Sequence, residues 1–182
     1  MPVTSSPWKQ WLSLLFAGAV LGSAHAATGP SLHEVFRSDF LVGVALNTGQ
    51  FSSPDHADAP LIRQHFNSIT AENALKWGPL HPKPDQYTFE QADRFVEFGT
   101  QQGWTIIGHT LVWHSQTPPW VFQDQEGKPA SREVLLERMR DHIRTVVGRY
   151  QGRIHGWDVV NEALNDDGTL RNSPWLRTIG ED

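Results

Sequence analysis

The segment HGWDVVNEAL, residues 155–164, runs from apolar residues straight into Asn161 and Glu162. A carboxyl group placed there can give or take a proton, or accept hydrogen bonds from a ligand. It is rarely a complete catalyst alone, so partners must come from elsewhere in the chain. Three more apolar runs end in polar residues: DFLVGVAL before Asn47, NSITA before Glu72 and Asn73, and WTIIG before His109. Lys76, Trp113 and Gln116 follow closely on the last two. Core packing alone would not put Glu, Asn, His and Lys at or near successive run ends. Their chemistry suits proton transfer and the binding of a hydroxyl-rich ligand.

The elements that must position these residues alternate. The four apolar runs have strand length, and their nearly continuous apolar character suits parallel strands covered on both faces. Between the second and third, Thr88 and Gln91 form a capping-box pattern. Phe89, Ala92, Phe95 and Val96 then repeat at helical spacing, and Gly103 stands where a helix would stop. Between the third and fourth, Ser131 can cap a long helix whose stripe is Leu135, Met139, Ile143, Val146 and Tyr150. LIRQHF, after the first run, is a shorter helical piece. The order strand-helix, repeated without internal sequence repeats, predicts an α/β chain with a parallel sheet. In such folds ligands bind at the carboxyl edge of the strands. The segment from Trp113 to Ala130, with Pro118 and Pro119, is too long for an ordinary βα loop and is expected to cover that edge.

Composition narrows the classes further. Lys9 followed by the apolar run Trp11–Leu21 and by SAHA reads as a secretory signal peptide over residues 1–26, so residues 27–182 form the mature chain. The run is well short of the roughly 20 residues that span a bilayer. The protein is therefore expected to be secreted, extracellular or periplasmic, with no membrane association after signal removal. There is no cysteine, so packing must hold the fold without disulfides. A net charge of -5 with interspersed signs argues against a nucleic-acid surface. Of eight tryptophans, Trp8 and Trp11 lie in the signal. The other six (Trp77, Trp104, Trp113, Trp120, Trp157 and Trp175) sit near polar residues, an arrangement that suits stacking on sugar rings as well as core burial.

Three motifs in register, TAENALKW, GHTLVWHSQTPPW and WDVVNEAL, resemble the endo-β-1,4-xylanases of glycoside hydrolase family 10. The resemblance runs from about Leu32 to the last residue. It implies a TIM (β/α)8 barrel, of which residues 27–182 would be the N-terminal half: the first four βα units, incomplete at the C-terminus. It implies hydrolysis of internal bonds of xylan by a retaining mechanism, with Glu162 as general acid/base and Asn161 on the sugar 2-hydroxyl. Glu72, Asn73 and Lys76 would bind sugar on the glycone side. His109 and Trp113, with Gln116 near them, would wall the subsite where the bond is cut. No cofactor or metal is called for, and the full-length protein is expected to be monomeric.

Such chemistry needs a second carboxylate about 5 Å from the acid, or 6.5–9.5 Å away if the configuration inverts. Asp158 lies four residues before Glu162 on the same strand, ~13 Å away at ~3.3 Å per residue, and is better suited to hydrogen bonding inside the barrel. The resemblance places the nucleophile on a seventh strand, in a stretch like T-E-L-D, and this chain has none. Residues 27–182 alone are therefore expected to be inactive. A non-catalytic secreted carbohydrate-binding protein is the alternative; it explains the tryptophans but not an acid beside Asn161. A metal site at His109 and His114 is disfavoured, because five residues apart on an extended segment they point to opposite faces. NDDG, Asn165–Gly168, reads as a plain turn.

Overall fold

The computed structural model describes residues 29–181; the signal-peptide segment lies outside them. The chain runs α1 (Leu32–Val35), β1 (Gly43–Leu46), α2 (Thr48–Ser52), α3 (Ala59–His65), β2 (Ser68–Ala71), α4 (Trp77–Leu80) and α5 (Glu90–Gln102). β3 (Thr105–Trp113), a 3-10 turn at Pro119–Val121, α6 (Arg132–Arg149), β4 (Gly156–Asn161) and α7 (Pro174–Ile179) follow. The strands pair in chain order, all parallel, so every carboxyl end lies on one edge. The ladder between β3 and β4 is regular to His109, shifts register, and resumes at Val112. The His109–Thr110 peptide there is cis, and the Thr110 hydroxyl donates to the Asp158 carbonyl at 2.8 Å.

The helix signals mostly hold. Gly103 ends α5 at a left-handed φ of 67°, and the Ser131 hydroxyl accepts from the Val134 N–H at the start of α6. The capping box at Thr88 and Gln91 does not form. The Thr88 N–H is drawn to the Leu80 carbonyl at 2.8 Å, α5 starts after Phe89 without a side-chain cap, and Gln91 Oε1 instead accepts from the Thr48 hydroxyl. β1 is shorter than the run DFLVGVAL suggests. Val42 spends its N–H on the Asn67 side chain, and Phe40 and Leu41 stay exposed.

The core lies between the sheet and the helices. Ile69 and Ile106 from the strands meet Phe95 and Val96 of α5 and Leu135 and Val146 of α6, all buried. Each such side chain contributes about 1.5–3 kcal/mol relative to exposure. On the α6 stripe, Met139 and Ile143 are only partly buried. Burial of both sheet faces fails at β4, where Val159 and Val160 are exposed. Of the six tryptophans from Trp77 onward, four pack in or against the core: Trp77 stacks on His142, Trp120 packs beside Trp77, Trp104 meets Phe98, and Trp157 leans over Gly108. Trp113 reaches the candidate residues, and Trp175, packed beside Trp77, reaches the Trp113 carbonyl through its indole N–H.

One polar pair sits inside this core. His81 Nε2–H donates to the Pro84 carbonyl at 3.1 Å, which leaves His81 Nδ1 to accept from His142 Nδ1–H at 3.3 Å. His142 is fully buried against the Trp77 ring, and its Nε2 has no partner. Burial, with a smaller push from His81, depresses the His142 pKa to about 3. A base depressed in the folded state stabilises it fully above the unfolded value near 6.5. That stability is lost as pH falls toward about 3, at up to about 1.4 kcal/mol per pH unit. Urea titrations between pH 6.5 and 4 should therefore show a shallower loss of stability for His142→Phe than for the unsubstituted chain. Equal slopes would mean that the imidazole takes up its proton without unfolding cost.

Candidate active site

β2, β3 and β4 deliver their carboxyl ends side by side, and the site is built from the residues just beyond. Trp113 closes β3 opposite Asn161, the last residue of β4. Its indole Nε1–H donates to Glu162 Oε2 at 3.0 Å. An indole nitrogen cannot accept, so a proton carried by this carboxyl belongs on Oε1. His114 Nε2 lies 3.8 Å from the same Oε2, and the Trp113 carbonyl is held by the Trp175 indole at 2.9 Å and the Thr117 hydroxyl at 2.8 Å. Glu162 itself adopts φ 51°, a left-handed conformation that costs a non-glycine residue about 1–2 kcal/mol.

The residues after β2 join on the other side of Trp113. The buried Lys76 ammonium lies 4.6 Å over the Trp113 ring and donates to Asn73 Oδ1 at 3.1 Å. Desolvation lowers the Lys76 pKa, and the Glu72 and Glu162 carboxylates partly oppose this. Gln116 also donates to Asn73 Oδ1, at 3.3 Å. Next to this cluster His109 Nδ1 lies 2.9 Å from Asp158 Oδ2. The acceptor is a carboxylate, so the ring donates from Nδ1. Asp158 is thus engaged with His109, inside the sheet's open face, and not with Glu162.

Glu162, Trp113, Lys76, Asn73 and Gln116 therefore form one chain of contacts, with Glu72 beside Lys76, His109 beside Trp113 and Asn161 next to Glu162. The side chains of Glu72 and Asn161 make no hydrogen bond to another described residue, which leaves them open to a ligand. Asn47 turns away from the edge, because its side chain caps α2. The long loop after β3 covers less of the site than its length suggests. Arg138 of α6 gathers the carbonyls of Trp120, Val121 and Gln123, drawing its middle toward the helices. Three contributors are not marked as site residues by the sequence pattern: His114 beside Glu162 Oε2, Trp175 on the Trp113 carbonyl and Arg171 on the Glu162 carbonyl. His114 follows Trp113 directly, but no spacing rule marks the others. Among the described residues no group of three or more His, Asp or Glu could hold a metal.

The whole of residues 31–182 matches the model of glycosyl hydrolase family 10. The chain belongs to that family. It is 46% identical over 155 residues to endo-1,4-beta-xylanase B of Paenibacillus barcinonensis, covering 84% of this chain and 46% of that one. It is 48% identical over 160 residues to endo-1,4-beta-xylanase A of Xylanibacter ruminicola, covering 88% and 43%. The chain thus spans about half the length of these curated relatives. Among solved structures it superimposes on an intracellular xylanase from Thermoanaerobacterium saccharolyticum, a mutant complexed with xylotriose. The TM-score is 0.81 at 43% identity, over 86% of this chain and 51% of the other. The four parallel βα units are the fold expected for the first part of the family barrel.

Gln116 is placed by a close backbone approach: the Gly78 N–H donates to the Gln116 carbonyl at 2.8 Å, and a methyl group on Gly78 would lie 2.8 Å from that oxygen. Gly78→Ala should push the Gln116 turn away from Asn73 and destabilise the fold by about 1–3 kcal/mol. Guanidinium denaturation measures this directly, and an unchanged midpoint would show that the turn moves freely.

Proposed function

We propose that this chain carries the acid/base side of a retaining endo-1,4-β-xylanase that cuts internal β-1,4-xylosidic bonds of xylan. The observation that carries the reading is the Glu162 carboxyl, standing at the carboxyl edge of the sheet with Oε2 held by the Trp113 indole and Oε1 left for a proton. Relatives named as endo-1,4-beta-xylanases and a neighbour solved with xylotriose support the substrate class. In this reading Glu162 protonates the leaving oxygen while a second carboxylate attacks the anomeric carbon. The resulting glycosyl ester is then opened by water, whose proton returns to Glu162. Glu72, Asn73 and Lys76 bind sugar hydroxyls on the glycone side, His109, Trp113 and Gln116 wall the cleavage subsite, and Asn161 holds the 2-hydroxyl. The mature protein, exported and freed of residues 1–26, meets xylan outside the cytoplasm.

The attacking carboxylate is not among these residues. Asp158 is bound to His109, and Glu72 serves the binding side. Residues 27–182, purified away from host glycosidases, should release no reducing sugar from xylan. Release that disappears in Glu162→Ala would place a nucleophile within these residues or on a second copy.

In a barrel completed with the remaining βα units of a family relative, proton NMR of the first-formed sugar should show the β-anomer; an initial α-anomer would exclude retention. In the same barrel, Glu162→Ala should slow substrates with poor leaving groups by about 10²–10⁴-fold. Activated aryl xylosides, which need little protonation, should be slowed far less. Equal slowing of both classes would remove Glu162 from the acid role.

A further inference from the structure

Glu162 keeps its left-handed turn although nothing in its side chain favours one. The carbonyl of this first residue after β4 accepts a hydrogen bond from Arg171 Nε at 2.9 Å. The same guanidinium donates from Nη2 to the Leu164 carbonyl at 3.3 Å. Between them the chain makes a short excursion closed by its own backbone. The Arg171 N–H bonds to the Ala163 carbonyl at 2.8 Å, Leu164 bridges Leu170, and the Asn165 N–H reaches the Thr169 carbonyl at 2.8 Å. Arg171 is thereby returned to the end of β4, where its planar fork spans two carbonyls at a fixed separation.

We propose that Arg171 is a positioning residue for Glu162: its guanidinium, clamped on the Glu162 and Leu164 carbonyls, holds the left-handed turn that keeps the Glu162 carboxyl against the Trp113 indole. Its guanidinium bonds go to the Glu162 and Leu164 backbone carbonyls rather than to the carboxyl, so it acts on the direction of the side chain. Without it, water can satisfy the Glu162 carbonyl, and the residue relaxes to an ordinary φ that aims the side chain elsewhere. Lysine, a point charge without a planar fork, lacks the paired donor geometry with which the guanidinium holds these two carbonyls. The importance of this clamp for catalysis rests on Glu162 being the acid/base; the placement of the carboxyl does not.

The test reads placement directly, in the 15N-labelled chain. The Trp113 indole N–H resonance is assigned with Trp113→Phe, and Glu162→Ala gives its position when the bond to the carboxyl is absent. Arg171→Ala should move that resonance to the Glu162→Ala position and speed its exchange with solvent about tenfold or more, the loss expected of a hydrogen bond to a charged group. The indoles of Trp77, Trp104, Trp120 and Trp157 should stay in place, and Arg171→Lys should lie between the two extremes. An unmoved Trp113 resonance in Arg171→Ala overturns the proposal, as does a shift shared by all the indoles, which marks a merely structural role. If the alanine variant does not fold, Arg171→Lys decides: a selective shift of Trp113 supports the clamp, and an unmoved or global pattern overturns it. No hydrolysis is measured, so failure of the xylanase reading leaves this result intact, and the reverse holds as well.

Discussion

Four strands that run the same way and pair in chain order must each be followed by a return across the sheet, so all their carboxyl ends gather at one edge. The site depends on this constraint more than on any single contact. Residues as far apart in sequence as Asn73, Trp113 and Glu162 become neighbours because each stands just beyond, or at, the end of a strand in one parallel ladder. The side chains then need only short reaches: an indole to a carboxylate, an ammonium over an indole, two donors on one amide oxygen.

The ladder also explains what the helices do for the site. α5 and α6 bury the helix-facing side of the sheet, and their polar residues tie loops back to this layer. Arg149 of α6 pairs with Asp93 of α5, where the Tyr150 hydroxyl also donates. That pairing keeps the Asp93 carboxyl below its ordinary range, and Arg138 gathers three carbonyls of the loop after β3. The buried His81–His142 pair joins the segment after α4 to α6 at the cost of keeping an imidazole neutral in an apolar stack. These ties hold α4 and the loop after β3 in place, and with them Lys76 and Gln116.

The opposite side of the sheet has a different character. Asp158 and His109 satisfy each other on a face that remains open. At the β4 edge Val159 and Val160 are exposed, and an apolar cavity of about 230 Å³ lies between the end of β4, Met139 of α6 and α7. Family members of twice this length carry further chain. An open parallel edge with apolar residues beside it is where additional strands and helices would pack.

How much of this was written in the sequence follows from the range of the forces involved. The alternation of strand and helix, the stop at Gly103, the cap at Ser131 and the edge location of Glu72, Asn73 and Glu162 were legible, because apolar periodicity and backbone capping act over a few residues; His109, expected at a strand end, lies mid-strand because β3 continues past its register shift to Trp113. The resemblance of three motifs supplied the family. Tertiary structure alone decided that Thr88 would bond to Leu80 instead of capping α5, since a partner eight residues back competed for its N–H. It also decided that four tryptophans serve the core while Trp113 and Trp175 meet at the site, because burial of each ring depends on which distant element packs over it. The left-handed turn at Glu162 and the return of Arg171 to its carbonyl belong to the same class. They require a closed loop in three dimensions, and nothing in the one-dimensional spacing of residues 162 and 171 encodes the meeting of a guanidinium with that carbonyl.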